Sequence, residues 1–216
     1  MSKVKSITQP YCYPYARPAV TVDVVAFALV ESALRVLLIQ RGQEPFFGRW
    51  AFPGGFLEAN ELPEVGASRE LREETGLEPK EPLIFLEPFG DPNRDPRGWT
   101  ISLAYMVLVG PPLSEVVGSD DATKAEWHDM LNLPLLAFDH SKILIKAFTR
   151  LYALIDLGDH GVEFLPEVFT LDHIEILYHA LGETTEEAIA WRDYLLHLGR
   201  IELLPRSKSK YRRVHT

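Results

Sequence analysis

The sequence predicts a mixed α/β domain followed by a small winged helix-turn-helix. Several β-branched, apolar runs are separated by turn residues and by a few stretches with helical spacing, which is typical of a mixed sheet with helices. After about residue 160 the order becomes helix, helix, β-hairpin, which is the order of a winged helix-turn-helix. A chain of 216 residues suits either one large domain or one medium domain with a small appendage. We therefore predict a first domain at residues 1–160 and a second at 161–216.

Composition limits the functions open to this chain. Hydrophobic residues make up 46% of it, enough for a real core. The net charge of −9 disfavours a general affinity for nucleic acid or anionic membrane, although a local basic patch is compatible with it. The single cysteine, Cys12, cannot form an internal disulfide, and the first ten residues lack the apolar run of a signal peptide. The apolar run VVAFALV is far too short to cross a bilayer. We expect a cytoplasmic protein with no membrane partner.

The first quarter of the chain predicts a β-hairpin and a glycine-containing turn. Residues 1–18 are rich in proline and tyrosine and predict irregular structure. The continuous β-branched run at residues 20–30 predicts a buried strand, and the run at 34–41 follows it after a short break, which predicts a hairpin. Residues 50–56, WAFPGGF, predict a short strand that runs into a turn.

The middle of the chain predicts three more strands and a long helix. Residues 83–90 and 99–109 predict two strands, and the Pro, Asn, Asp and Gly between them predict a loop. A short strand is predicted at 124–130. The segment after it has helical spacing, with Asp139 as the expected N-cap and an end near Gly158.

The last quarter predicts two helices and a basic hairpin. Residues 169–182 predict a helix capped by Thr170, and residues 183–199 predict a second helix after a short turn. Residues 200–216 alternate like two short strands around a basic turn.

A glutamate-rich segment carries the chemical signal. Residues 62–75 predict a helix that places Glu70, Glu73 and Glu74 on one face. Three carboxylates within one turn repel one another unless a cation joins them, and Mg²⁺ prefers such oxygen ligands. Gly66 lies one turn earlier on that face, and we expect it to leave room for the ions. The alternative is a solvated charged helix, and the spacing alone leaves both interpretations open.

The longer pattern around this helix resembles the Nudix box. Gly55 is followed after five residues by Glu61, and after seven more by the run RELREETGL at residues 69–77, so every defining position matches. The resemblance implies the Nudix fold, an α/β/α sandwich around a mixed sheet. It also implies hydrolysis of a diphosphate linked to another moiety. Two positions depart from the pattern: Leu62 replaces a helix-capping hydroxyl, and Asn60, which tolerates the left-handed conformation, stands where Gly is often found.

The resemblance also implies a role for each residue of the box. Glu70 and Glu74 would be direct Mg²⁺ ligands, with Mn²⁺ as an alternative ion, and Glu73 would serve a further ion or its waters. The carbonyl of Gly54 would be a backbone ligand, and Glu61 and Arg69 would brace the loop and the helix. A further carboxylate is expected to act as the general base, and the acidic loop after the last long strand offers the candidates Glu115, Asp121 and Glu126.

The substrate is predicted from the residues around the box. Arg94 and Arg97 lie beside prolines in a predicted loop, and arginine suits bidentate phosphate binding, although ordinary surface charges are the alternative. Arg41 and Phe52 are further candidates for substrate contact, and Phe52 is equally suited to the core. From residue 49 to 144 the chain resembles a Nudix branch of ADP-ribose pyrophosphatases and regulators of NAD metabolism. This implies a nucleoside diphosphate sugar, ADP-ribose above all, cleaved to AMP and ribose 5-phosphate.

Two other functions compete with this one. The predicted winged helix and the basic residues of the tail are compatible with a DNA-binding, ADP-ribose-sensing regulator. Glu186, Glu187 and Asp193 on the expected recognition helix argue against DNA binding, as does the complete box, since regulators of this branch often carry a damaged one. An enzyme that removes oxidised nucleotides would share the same box. We therefore favour the pyrophosphatase, and we expect a homodimer, with packing contacts from the tail and from the tyrosines at 11, 13 and 15.

Overall fold

A seven-stranded mixed sheet forms the centre of the computed structural model, which describes residues 14–118, 122–158 and 160–214. Its spatial order is β3-β2-β1-β6-β5, with β4 paired to β1 and β7 paired to β2. Strands β1 and β6 run parallel and the other pairs are antiparallel, which confirms the predicted mixed sheet. The strands are β1 (Ala19–Val30), β2 (Ala33–Arg41), β3 (Trp50–Ala51), β4 (Gly54–Phe56), β5 (Ile84–Phe89), β6 (Thr100–Val109) and β7 (Ala122–Asp129).

One helix covers each face of this sheet. Successive residues of β1 point to opposite faces, as the pleat of a strand requires. Val24 belongs to the apolar cluster that contains Leu71 of α1 (Pro63–Thr75). Its neighbour Val25 belongs to the other cluster, with Ile143 of α2 (His140–Asp156). The α/β/α sandwich expected from the resemblance is therefore confirmed.

The glutamate helix α1 begins and ends where the sequence predicts. Leu62 occupies the N-cap position and makes no side-chain cap, as its apolar side chain dictates. Asn60 has a φ of 67°, so it adopts the left-handed conformation expected of it. Gly76 ends the helix at a φ of 71°, where its N–H donates to the carbonyl of Arg72.

The predicted cap of α2 is wrong in its chemistry, although the position is right. The helix begins at His140, directly after Asp139, but the Asp139 side chain makes no cap hydrogen bond. Its carboxylate instead accepts hydrogen bonds from the guanidinium of Arg94. A buried arginine offers a charge-assisted partner that competes with the backbone N–H groups of the helix end.

The predicted winged helix-turn-helix is present after residue 160. Two helices are followed by a hairpin, and a short strand that the sequence did not predict completes a three-stranded sheet in the order β8-β10-β9. Thr184 caps the second helix in a capping box with Glu187. The elements are β8 (Val168–Phe169), α3 (Leu171–Ala180), α4 (Thr185–His197), β9 (Ile201–Leu203) and β10 (Tyr211–Arg213).

Helix α2 also packs against the C-terminal helices. The indole N–H of Trp191 donates to the carbonyl of Ile155 over 2.8 Å, and the hydroxyl of Tyr152 lies 2.9 Å from the carbonyl of Leu181. One apolar cluster runs from the sheet through α2 into α3 and α4. The boundary near residue 160 stays a prediction. Within the described ranges, no helix is both long and apolar enough to cross a membrane.

Candidate active site

A cavity of about 380 Å³ opens beside the glycine turn that precedes α1. Its walls combine carboxylates, arginines and aromatic rings from the sheet, the box and two loops. Such convergent charged groups in a concave site are typical of an active site. The lining residues are Thr21, Asp23, Ile39, Arg41, Gln43, Glu44, Ala51, Phe52, Gly54, Gly55, Phe56, Glu58, Arg69, Glu70, Glu74, Arg94, Asp95, Arg97, Phe138 and His140.

The two expected metal-binding glutamates lie against the glycine turn. The N–H of Gly54 donates to Oε2 of Glu74 over 2.8 Å. A Cβ atom at Gly55 would come within 2.5 Å of Oε1 of Glu70, so the absence of a side chain there is what lets the carboxylate approach the turn. The turn between β3 and α1 thus holds both carboxylates against backbone groups of the loop.

Arg69 connects the members of the box, as the resemblance implies for a bracing residue. Its guanidinium donates to both carboxylate oxygens of Glu61, over 2.8 and 3.0 Å. It also donates to Glu70 over 2.7 Å and to Glu73 over 3.1 Å. The hydrogen bonds from Arg69 lower the pKa of Glu61 to about 2. Glu73 is half exposed and stands outside the cavity wall, whereas Glu70 faces it.

Glu70 shares the guanidinium of Arg69 with Glu61 and Glu73, and Glu74 accepts its hydrogen bond from an uncharged backbone N–H. Burial raises the pKa of Glu70. Burial raises the pKa of Glu74 to about 8, and the hydrogen bond from Gly54 only partly opposes that. A divalent cation would supply the missing positive charge, and the donors are the hard oxygens that Mg²⁺ and Mn²⁺ accept. Among the described residues no three His, Cys, Asp or Glu side chains form a metal cluster, so the fit rests on two carboxylates and the Gly54 carbonyl.

The contacts around Gly66 explain this glycine by the packing of a loop, and not by room for metal ions as the sequence predicts. A Cβ atom there would lie 2.4 Å from Cδ2 of Leu57 and 2.9 Å from Oε2 of Glu61. Both atoms belong to the loop before α1. The glycine therefore lets this loop, with the Glu61 that Arg69 binds, pack closely on the helix.

A buried network at the cavity wall contains two residues that sequence reasoning missed, Asp23 and His140. Asp23 of β1 accepts hydrogen bonds from Ser102 and from Arg94, and its other oxygen lies 3.4 Å from Nε2 of His140. Nδ1 of His140 accepts from the backbone N–H of Phe52, so the ring is neutral with its proton on Nε2. Burial lowers the pKa of His140, which is consistent with this assignment.

Arg94 belongs to this buried network. Its side chain is only 4% exposed and donates to Asp139 over 2.9 Å as well as to Asp23. It lines the cavity, but its Nε and Nη2 groups donate to carboxylates. The role predicted for Arg94 in binding substrate stays a prediction. The contacts observed connect Asp23 of β1 with Asp139 at the start of α2.

Arg97 and Arg41 present their guanidinium groups on aromatic rings at the cavity. Arg97 lies 5.0 Å above the ring of Phe56 and 5.8 Å from that of Phe138, and Arg41 lies 4.8 Å above Phe138. Arg97 also binds the carboxylate of Asp95 and is 42% exposed, so it can reach a ligand. Phe52 is buried and stacks on His140, which fits the core alternative more than direct contact.

The NUDIX domain family matches residues 19–148, well over half of the chain. The chain belongs to the Nudix family. It is a Nudix hydrolase by this match and by its box, and Nudix hydrolases generally use divalent metal ions. The box helix, the glycine turn and all seven strands of the sheet lie within the matched range, which ends inside α2.

Relatives of this Nudix chain include both enzymes and regulators. It is 44% identical over 137 residues to the ADP-ribose pyrophosphatase of Methanocaldococcus jannaschii, covering 63% of this chain and 76% of the relative. It is 31% identical over 198 residues to the ADPR responsive transcriptional repressor NtrR of Acinetobacter baylyi, covering 90% and 78%. The crystal structure of Shewanella oneidensis NrtR with a 27mer DNA superimposes with a TM-score of 0.71 at 25% identity, covering 90% of this chain and 92% of that one.

Two of the three residues expected to act as the general base, Glu115 and Glu126, do not line the cavity. Glu126 lies on β7, half exposed and 3.8 Å from Lys124, and neither it nor Glu115 lines the cavity. Asp121 lies outside the described residues. Glu44 and Glu58 do line it. Sequence reasoning missed them, although Glu58 stands only three residues before Glu61 in the box loop.

Proposed function

We propose that this protein hydrolyses ADP-ribose to AMP and ribose 5-phosphate in a reaction that requires a divalent metal ion. The observation that carries the proposal is the complete box, folded so that Glu70 and Glu74 converge on Gly54 and Gly55 at the cavity. The 44% identical pyrophosphatase supports ADP-ribose as the substrate.

Different residues of the cavity would bind the metal ion, the phosphates and the base of the substrate. Glu70, Glu74 and the carbonyl of Gly54 would hold Mg²⁺ or Mn²⁺. Such an ion neutralises phosphate oxygens, orients them and makes a bound water more acidic. Arg97 provides a half-exposed cation for the phosphates, and the rings of Phe56 and Phe138 provide flat faces for a base. A carboxylate that accepts the proton of the attacking water is proposed among Glu44, Glu58, Glu115, Asp121 and Glu126.

A substrate panel tests this proposal. With Mg²⁺, we expect the highest kcat/KM for ADP-ribose among ADP-ribose, NADH, nucleotide sugars, nucleoside triphosphates and oxidised nucleotides. The products should be AMP and ribose 5-phosphate, and EDTA should abolish turnover. A clear preference for an oxidised nucleoside triphosphate would instead identify the nucleotide-cleansing class and contradict the ADP-ribose assignment.

A second candidate, an ADP-ribose-responsive DNA-binding regulator, is favoured by one specific observation. The DNA-bound NrtR structure and the NtrR relative align with about nine-tenths of this chain, including the winged helix. The wing between β9 and β10 exposes Arg206, Lys208 and Lys210. Other basic residues of the tail are engaged, since Arg212 pairs with Glu202 and Arg213 lies 3.9 Å from Glu81. Helix α4 exposes Glu186, Glu187 and Asp193.

These charges lead to a defined expectation for DNA binding. We expect only weak binding in a gel shift with promoter DNA, decreasing steeply between about 50 and 200 mM salt, as nonspecific phosphate contacts do. Replacing Arg206, Lys208 and Lys210 by Ala should abolish it, because these residues supply the exposed positive charge. A sequence-specific shift at physiological salt that ADP-ribose reverses would show that the regulator function is present. The homodimer, to which the exposed Tyr15 would contribute, and the cytoplasmic location stay proposals.

A further inference from the structure

A second cavity of about 420 Å³ lies between α2, the end of α3 and α4, away from the Nudix site. We call it the aromatic cleft. No residue that lines it belongs to the box or to the first cavity, so the proposed hydrolysis does not use it. Its lining residues are Tyr152, Ile155, Asp156, Tyr178, Leu181, Glu183, Glu187, Ala190, Trp191 and Tyr194.

Four of the ten residues that line the cleft are aromatic, and hydrogen bonds hold two of them in place. The rings of Tyr178 and Trp191 lie 5.5 Å apart between centroids, at an angle of 47°. The indole N–H of Trp191 is anchored on the carbonyl of Ile155, and the hydroxyl of Tyr152 lies at the carbonyl of Leu181. Tyr194, which is 40% exposed, also lines the cleft. Because the polar atoms of Trp191 and Tyr152 are engaged, these rings offer the cleft mainly their aromatic surface.

Three carboxylates, those of Asp156, Glu183 and Glu187, also line the cleft. Glu187 accepts hydrogen bonds from the N–H and the hydroxyl of Thr184. Glu183 in turn is hydrogen-bonded to the hydroxyl of Tyr152. Asp156 lines the same cleft, and no Lys, Arg or His occurs among the described lining residues. Negative charge is therefore concentrated beside aromatic faces with no cation in the wall.

We propose that the aromatic cleft binds a small organic cation with an apolar body, such as a quaternary ammonium or a pyridinium. A cation over aromatic rings is stabilised by their quadrupoles, and nearby carboxylates add direct attraction. A bare metal ion fits less well, because hard cations need several oxygen ligands around them and, among the described residues, the carboxylates of the cleft are not grouped closely enough to hold one. The volume suits a small organic molecule. A ligand here would contact α2 of the Nudix domain together with α3 and α4.

The test compares a cation with a neutral molecule of the same shape. Choline and its uncharged isostere 3,3-dimethyl-1-butanol are titrated into the full-length protein by isothermal calorimetry. We expect choline to bind saturably, at least about tenfold more tightly than the isostere, because the cation–π and carboxylate terms are lost without the charge. Equal binding of both compounds overturns the proposal. The absence of choline binding up to about 10 mM also overturns it, because a site of millimolar affinity would be detected at that concentration.

Variants locate the binding in the cleft. Tyr194→Leu, and Glu183→Gln together with Glu187→Gln, should each weaken choline binding at least about tenfold. Gln at residue 187 keeps the capping box with Thr184, so helix α4 remains intact. Tyr194→Phe keeps the ring, and Glu186→Gln changes an exposed charge outside the cleft, so both should bind choline as the natural protein does. Hydrolysis of ADP-ribose should be unchanged in all of them. Choline binding that survives both cleft variants would contradict the site.

Discussion

Replacing Glu74 by Gln is expected to lower kcat/KM for ADP-ribose by at least about 100-fold, the range for losing a central electrostatic group of a site. The amide removes a charge that would bind the metal ion. The fold should persist, because the Gln side-chain oxygen can still accept the hydrogen bond from the N–H of Gly54. Steady-state kinetics at saturating Mg²⁺ and a thermal denaturation curve measure the two effects separately.

The control for this variant is Glu64→Gln on the same helix. Glu64 is exposed in the first turn of α1 and does not line the cavity. Its replacement removes one negative charge from α1 while leaving the site intact, and kcat/KM should stay within about twofold, since surface changes of this kind act only weakly. Equal activity of the Glu74 and Glu64 variants would contradict the role given to Glu74.

Replacing Arg94 by Met is expected to lower the free energy of unfolding by about 3–5 kcal/mol, the usual loss when one partner of a buried ion pair is removed. The change would leave the carboxylates of Asp23 and Asp139 buried, 10% and 9% exposed, without their shared cation. Urea denaturation followed by circular dichroism measures the change.

Lys142→Met serves as the comparison for this second variant. Lys142 lies 3.7 Å from Asp91, and both side chains are at least half exposed. An exposed pair of this kind contributes only about 0–1 kcal/mol. If Arg94→Met destabilises the protein no more than Lys142→Met does, the buried network does not have the energetic role assigned to it here.

The sequence predicts most of the sandwich because the decisive signals are local. The spacing of Glu70, Glu73 and Glu74 predicts a shared helix face, and the left-handed conformation of Asn60 follows from its side chain. Hairpin, helix and wing follow from runs of apolar residues and from turn residues close in sequence. The resemblance to the Nudix box additionally predicts the helical layer on each face of the sheet.

The buried network at the cavity wall could not be predicted from local signals, because its partners are far apart in sequence. Asp23 and Arg94 are separated by 71 positions, and Arg94 and Asp139 by 45. One signal was available: Asp23 is the single charge in an apolar strand, and a buried carboxylate needs a partner. The sequence predicts a substrate contact for Arg94 because an arginine beside prolines in a loop suits phosphate binding, whereas its burial is a result of tertiary packing.

Two further features depend on packing in three dimensions. Helical spacing places Glu74 beside Glu70 but does not show that Glu74 is buried under the glycine turn, which is what raises its pKa. The aromatic cleft combines residues of α2, α3 and α4, and each of those helices read alone shows only core and surface positions. Glu115 and Glu126 are predicted from their place in an acidic loop, whereas Glu126 lies on β7 opposite Leu38 of β2 and neither residue lines the cavity.

A crystal structure with Mn²⁺ and a non-hydrolysable ADP-ribose analogue is the most direct measurement. Anomalous scattering locates the ion independently of the protein. We predict a peak within about 2.5 Å of the carboxylates of Glu70 and Glu74 and of the carbonyl of Gly54, with the diphosphate against it. An ordered diphosphate in this cavity with no metal peak at those oxygens would contradict the account.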